Sequence, residues 1–383
     1  MSSELSALVA DGLVDHHCHG VVNHDLERGD FELLMTESDH PAAAGTDHFA
    51  TPLGTSIRRY CAPVLDLEPG VSADVYLARR TELGAEECNR RLLRASGIDV
   101  LLLETGYRSD DILSPSEMST LAAATAYEVV RIERVAEEVV DDGITPEDFA
   151  DAFERRLRDR AADAVGLKSI VAYRHGFRID HHRPTPDEVR AATERWLRQP
   201  GPARLEDPTL LRFALTVGFE VAREFSFPIQ FHVGFGDADI SMTDNDPTLL
   251  RDWLEQARTW GVDVTLLHCY PYHRQAGWLA AIYPNVYVDV GLTLNYVGPA
   301  APRIFAEACE LTPTTKHLFS SDAFGLPELY YLGARRYREA LVDLLDDLLA
   351  RGEYTDDDAR VLAEAIGGGN ARRIYPLERA RAH

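Results

Sequence analysis

His17 and His19 stand one residue apart at the end of the run LVDHHCH (13–19). Alternate residues of an extended strand share a side, so residues 15, 17 and 19 face one way and 16 and 18 the other. Two imidazoles on one side can chelate a single divalent cation. Alone the pair is a moderate signal, because two histidines in a polar loop give the same pattern. Three more residues change the balance. His232 in IQFHVGFGD, His268 in VTLLHCYP and Asp322 in HLFSSDAFG each interrupt an apolar run at its C-terminal end. One buried histidine is usually a satisfied core residue. Four histidines and an aspartate closing separate runs call for a common cause. Imidazole and carboxylate suit Zn²⁺, Mn²⁺ or Fe²⁺, and three protein ligands with an open position make a catalytic site.

The runs that must position these residues number eight: 13–19, 100–106, 127–133, 165–173, 228–234, 262–269, 285–292 and 317–323. Their near-continuous apolar character suits strands buried on both faces. Helical patterns alternate with them, which predicts βα units and a parallel sheet. Eight such units close a (β/α)8 barrel, whose chemistry sits at the C-terminal ends of the strands. Helices are expected over 186–199, with Thr185 as N-cap before Pro186, over 247–260, and over 327–352, with Gly352 ending the last. Residues 356–377 read as further C-terminal helices around a glycine turn. The segment from about 20 to 75, rich in Pro, Gly, His and Asp, follows the first strand directly. That places a lid-like insertion over the barrel mouth. The expected organisation is one α/β domain over 1–383.

Composition bounds the partners. A formal net charge of -24 repels a nucleic-acid backbone over most of the surface. No run approaches the length of a membrane span, and the start MSSELSALVADGLVD has no leader pattern. The five cysteines are scattered without CxxC spacing, as in a reduced, cytoplasmic protein. The expected partner is a small-molecule substrate, with a homo-oligomer open.

The order HxH, His, His, Asp on strands 1, 5, 6 and 8 resembles the amidohydrolase superfamily of metal-dependent barrels. The ending GGNARRIYPL resembles that superfamily's Gly-Asn-x-x-Arg close. GLKSIVAYRHGF, IQFHVGFGD, HCYPYHRQAGWLAAIYPNVYVDVGL and SSDAFGLPELYYLGARR are similar to the amidohydrolase domain of nodulin- and FluG-related proteins. The resemblance implies His17, His19, His232 and Asp322 as metal ligands, with Asp322 also the proton acceptor from water. It implies His268 as general acid/base or as ligand of a second ion, and one Zn²⁺ or Mn²⁺, two at most. The related domain is sometimes fused to a glutamine-synthetase-like one, which hints at γ-glutamyl amides as substrates. Part of the superfamily uses the same residues for non-oxidative decarboxylation, the alternative to cleavage of a C–N bond.

Lys168 and Lys316 are the only lysines among 39 basic residues. Lys168 lies on the fourth run, where two-metal members carry a bridging carboxylated lysine. Its place near the middle of the run also fits a buried cation paired with Glu104 or Glu133. Arg174 and His175, following that run, and Arg131, closing the third, are expected to meet a substrate carboxylate, which an arginine fork pairs bidentately. The arginines fit a structural ion pair equally well. Glu328, six residues past Asp322, is a further expected substrate contact.

Overall fold

The apolar runs become seven parallel strands in chain order in the computed structural model, which describes residues 12–201 and 203–378. Most of the N-terminal stretch read for a leader lies outside the described residues. The strands are β1 Leu13–Cys18, β2 Ile98–Glu104, β3 Thr125–Arg131, β4 Gly166–Ser169, β5 Ile229–Val233, β6 Val264–His268 and β7 Val286–Val288. Each pairs only with its chain neighbours, as successive right-handed crossovers dictate.

The eighth run departs from expectation, because 317–323 forms no regular strand. It still bonds on both sides: Leu318 N donates to Val288 O at 2.9 Å, and His16 N donates to Phe319 O at 3.1 Å. Backbone bonding therefore runs from β7 through this segment to β1, as a closed ring requires. Regularity fails where side chains replace strand partners. Ser321 N donates to Asp15 Oδ1 at 2.9 Å, and Asp322 turns to a φ of 49°.

β4 is shorter than its apolar run for the same reason. Glu133 Oε1 accepts from Ser169 Oγ at 2.6 Å and Ile170 N at 3.0 Å, and Ser169 Oγ accepts from Val171 N at 3.1 Å. With their backbone donors taken by side chains, residues Val171–Arg174 turn into a short helix. Lys168 is thus one residue from the end of its strand, at the mouth, not mid-strand.

The helices follow their sequence signals. A reciprocal Thr185–Glu188 capping box opens Pro186–Trp196, three residues shorter than expected. The pattern over 247–260 divides into a 3-10 turn, Pro247–Leu250, and the helix Arg251–Trp260. The long helix spans Pro327–Ala350, and Gly352 follows at a φ of 70°, the left-handed conformation that glycine adopts without strain. None of the helices among the described residues is long and apolar enough to cross a membrane.

Apolar side chains fill two shells between the sheet and its helices, one around Leu167, Phe231 and Trp253, the other around Leu101, Phe319 and Tyr337. A third cluster joins Val14, Val100, Leu102 and Leu318 to Ile374 and Tyr375 of the C-terminal segment. That segment plugs the floor of the ring. The insertion after β1 carries short helices, including Arg28–Leu33 and Pro52–Ser56, held by stacking of Phe31 on Phe49 at 5.5 Å.

Glu328 belongs to this packing and not to the mouth. It is fully buried, ion-paired with Arg80 and accepting from Tyr76 Oη at 2.7 Å. Arg80 in turn lies over the Phe31 ring at 5.0 Å, so the pair fastens the long helix to the insertion. Removing one partner leaves the other charge buried and bare. Glu328→Ala should cost about 3–5 kcal/mol of unfolding free energy, measured by denaturant titration, while metal content per folded chain stays unchanged.

Candidate metal centre

Five of the polar residues singled out by the sequence, and Lys168 with them, converge on one cavity of about 600 Å³ at the C-terminal ends of the strands: His17, His19, His232, His268 and Asp322. How their protons are arranged decides what the cavity can hold. The Gln230 amide nitrogen donates to His16 O at 2.7 Å and lies 2.9 Å from Tyr375 Oη, which turns its oxygen toward His17. His17 Nδ1 donates to that oxygen at 2.8 Å. His19 Nδ1 donates to the backbone oxygen of Glu104 at 3.0 Å. In the neutral ring each imidazole has thus committed its proton and Nε2 presents a lone pair, which in His17 also meets the Lys168 amine at 3.3 Å.

Both lone pairs face the same carboxylate. His17 Nε2 lies 3.0 Å and His19 Nε2 3.5 Å from Asp322 Oδ1. A second proton on His17 would relieve the clash of acceptors, but burial and the neighbouring Lys168 push that imidazole down to about 3. Burial also opposes ionisation of Asp322, yet its carboxyl is held well below the usual range, first by the neighbouring His268. A divalent cation would satisfy all three groups at once. Ligating nitrogens of His17 and His268 and an oxygen of Asp322 lie within 4.8 Å of one another, and both ring nitrogens of the buried His268 have no hydrogen-bond partner. The residues fit a divalent metal, with Gln230 and the Glu104 carbonyl fixing the histidine tautomers as metal sites require.

His268 and Asp322 are held in strained backbone, at φ values of 66° and 49°, conformations that cost side-chain-bearing residues of order 1–3 kcal/mol. Asp289 supplies much of the restraint. Its carboxylate accepts from His268 N at 3.0 Å, Gly291 N at 2.8 Å, Ser320 Oγ at 2.9 Å and His16 Nε2 at 2.9 Å. Sequence reasoning missed Asp289 and Gln230. Asp289 carried the same signal as the histidines, a lone polar residue closing the apolar run NVYVDVGL.

His232 is placed differently from the other histidines. Its Nε2 donates to Phe235 O at 3.1 Å and its Nδ1 lies 3.3 Å from Tyr173 Oη, so both nitrogens are engaged although the ring sits 4.9 Å from His268. Gly234 makes that turn possible, since at its φ of 93° a Cβ would lie 2.1 Å from Tyr270 O.

Lys168 has no carboxylate partner among the described residues. The pairings with Glu104 and Glu133 do not form: Arg131 takes Glu104, and Glu133 bonds Ser169. The Lys168 amine instead lies 3.3 Å from His17 Nε2, and burial pushes it down to about 8. Arg174 reaches the cavity wall but is tied by Nη2 to Glu137 at 2.9 Å, which is the structural pairing. Arg131 is likewise paired. His175 is exposed and does not border the cavity. Tyr107 and Phe324, with centroids 4.9 Å apart, form an aromatic wall beside His19, and Glu37 of the insertion borders the same space.

The amidohydrolase family model matches residues 14–377. This chain belongs to the amidohydrolase family. Protein fluG of Emericella nidulans is 28% identical over 407 residues, which cover 95% of this chain and 46% of that protein. The chain thus spans about half the length of this curated relative. A Lactobacillus casei protein, provisionally called a metal-dependent hydrolase, is 30% identical, with a TM-score of 0.85 over 98% of each chain. Uronate isomerases of Thermotoga maritima (12% identical, TM-score 0.64, over 97% of this chain and 96% of that one) and Bacillus halodurans (14%, 0.61, over 97% and 95%) share the fold. Family membership implies a divalent metal, and the donor set agrees.

Because Gln230 fixes the His17 tautomer without touching the ion, Gln230→Leu should weaken metal affinity about 10–100-fold. Competition with a chromogenic chelator reads this directly, and unchanged affinity would show that the tautomer is set elsewhere.

Proposed function

We propose that this amidohydrolase cleaves a C–N bond, that of a linear amide of a small carboxylated metabolite, γ-glutamyl amides being the first class to try. The observation that carries the reading is the convergence of His17, His19 and His268 on the Asp322 carboxylate, with ring nitrogens 3.0, 3.5 and 3.3 Å from its oxygens. The residues that would hold a Zn²⁺ or Mn²⁺ ion are His17, His19 and Asp322, with His268 and His232 at its margin. When bound, such an ion lowers the pKa of water and polarises a carbonyl oxygen.

The chain's own residues supply the rest. Asp322, kept ionised, takes a proton from the attacking water. His268, whose Nε2 lies 3.3 Å from Asp322 Oδ2, hydrogen-bonds the oxygen on which charge develops. Lys168 adds a buried positive charge beside His17, or bridges two ions if carboxylated. Arg131 and Arg174 border the cavity with their charges balanced by Glu104 and Glu137, so a substrate carboxylate would draw on their remaining N–H donors. Tyr107, whose ring lies under the Arg131 guanidinium at 5.6 Å, and Phe324 give the neighbouring rim an apolar face. The insertion over the mouth acts as a lid, and the enzyme works in the cytoplasm on a free metabolite.

Product analysis on a panel of amides tests the reading. A free amine or ammonia should appear, at a rate lost on chelation and restored by Zn²⁺ or Mn²⁺. Release of CO2 from aromatic acids in its place would assign the chain to decarboxylation. Activity that survives complete metal removal would overturn both. His268→Ala should lower kcat by about 10²–10³-fold, the loss typical of one oxyanion donor, with a smaller change in KM.

A further inference from the structure

The cavity has two unlike sides, and the order of the strands sets them opposite each other. Bonding closes the ring from β7 through 317–323 to β1. In a ring of eight, the junction of the eighth segment with β1 lies across from the β4–β5 connection. Arg174 and Arg204, which border the cavity, come from that connection. The Arg174 side chain is only 9% exposed, and its Nε and Nη1 have no hydrogen-bond partner. Those are donors suited to a carboxylate.

The opposite side is hydrocarbon. Leu26, Leu33 and Leu34 of the insertion line it with Phe324 and Leu329, which follow the eighth segment. The two stretches of backbone are zipped together, Val22 N donating to Gly325 O at 2.9 Å and Gly325 N to Gly20 O at 3.0 Å. Gly325 lets Leu34 settle against this junction: its φ is 72°, and a Cβ there would lie 3.0 Å from Leu34 Cδ2. The three insertion leucines and Phe324 stay only half-buried, so they offer apolar surface that a ligand would cover. This surface begins next to the metal centre, because the Phe324 ring stands edge-on to His19 at 5.7 Å. The insertion also brings the carboxyl groups of Asp30, Glu37 and Asp39 to the lining. Like charges there disfavour a second anion, whereas the arginine side can take one.

We infer that the amine released by this enzyme is a primary alkylamine or arylalkylamine without a carboxylate. Its hydrocarbon part lies against Phe324 and the insertion leucines while the acyl carboxylate faces Arg174; this rests on the hydrolytic reading above. Hydrolysis places the water oxygen on the acyl carbon and a water proton on the nitrogen, and the electron pair of the broken bond stays with nitrogen. The insertion after β1 is thereby the part of the chain that selects the amine, and the β4–β5 connection the part that selects the acid.

The test uses the metal-loaded full chain and the acyl group of whichever panel amide is cleaved. Its ethyl-, propyl-, butyl- and hexylamides are compared with its glycine amide, which carries a carboxylate at nearly the size of the propylamide. From ethyl to hexyl, kcat/KM should rise about three- to fourfold per methylene. The glycine amide should fall below the propylamide by about 10-fold or more. Phe324→Ala and Leu34→Ala should each flatten the series to below about twofold per methylene, and the second variant serves if the first folds poorly. Arg174→Met should lower all the alkylamides alike and keep the slope. A flat or falling wild-type series, or a glycine amide cleaved as fast as the propylamide, would overturn the inference and leave the hydrolytic reading standing. A wild-type enzyme that cleaves no amide of the panel would overturn the reading and this inference with it.

Discussion

A ring nitrogen of His17 and one of His19 face a single carboxylate oxygen of Asp322 at 3.0 and 3.5 Å inside a buried pocket. Such a gathering of acceptors repels itself unless a positive charge lies among them, and much of the surrounding structure exists to keep it in place. Gln230 and the Glu104 carbonyl remove the option of turning a proton inward. Asp289 holds the strained backbone at His268, and Asp15 bonds Ser321 beside Asp322. The C-terminal Tyr375, from the floor of the ring, reaches up to His16 and Gln230. Groups at both ends of the barrel thus share one hydrogen-bonded column, with the cation position at its top.

Lys168 shows how the same demand appears in the chain's positive charges. It is buried, has no carboxylate partner among the described residues, and stands against His17 Nε2. A buried ammonium normally needs a paired anion. Here the nearest opposite charges are those that would also serve a metal, so Lys168 and the cation draw on one set of acceptors. The arginines nearby are committed to their own carboxylates and do not compete.

The polar residues that close apolar strands were legible in the sequence, because a histidine or aspartate ending such a run in a barrel has few places to go but the mouth. His17, His19, His232, His268 and Asp322 all reach it. Asp289 gave the same signal. Gln230 gave a weaker one, since its role depends on which atom faces which neighbour across the ring. Lys168 was misplaced because VGLKSIVAY reads as one strand, whereas Glu133 and Ser169 divert the backbone after residue 169. Glu328 and His175 were placed by nearness along the chain. Helical geometry turns the first toward Arg80, and a tight turn leaves the second in solvent. Glu37 was invisible: the segment around it has no period, and only folding brings it to the cavity.

The central claim is that a divalent ion sits among His17, His19 and Asp322. Anomalous diffraction at the zinc and manganese edges, from crystals grown without chelator, tests it most directly. The account predicts an anomalous peak bounded by those three side chains, with His268 adjacent. The exposed group Asp180, His181 and His182, where Asp180 is already bonded to Arg212, supplies the contrast. A peak at that surface group with none at the barrel mouth, or a mouth holding only water while the protein is fully active, would contradict the account.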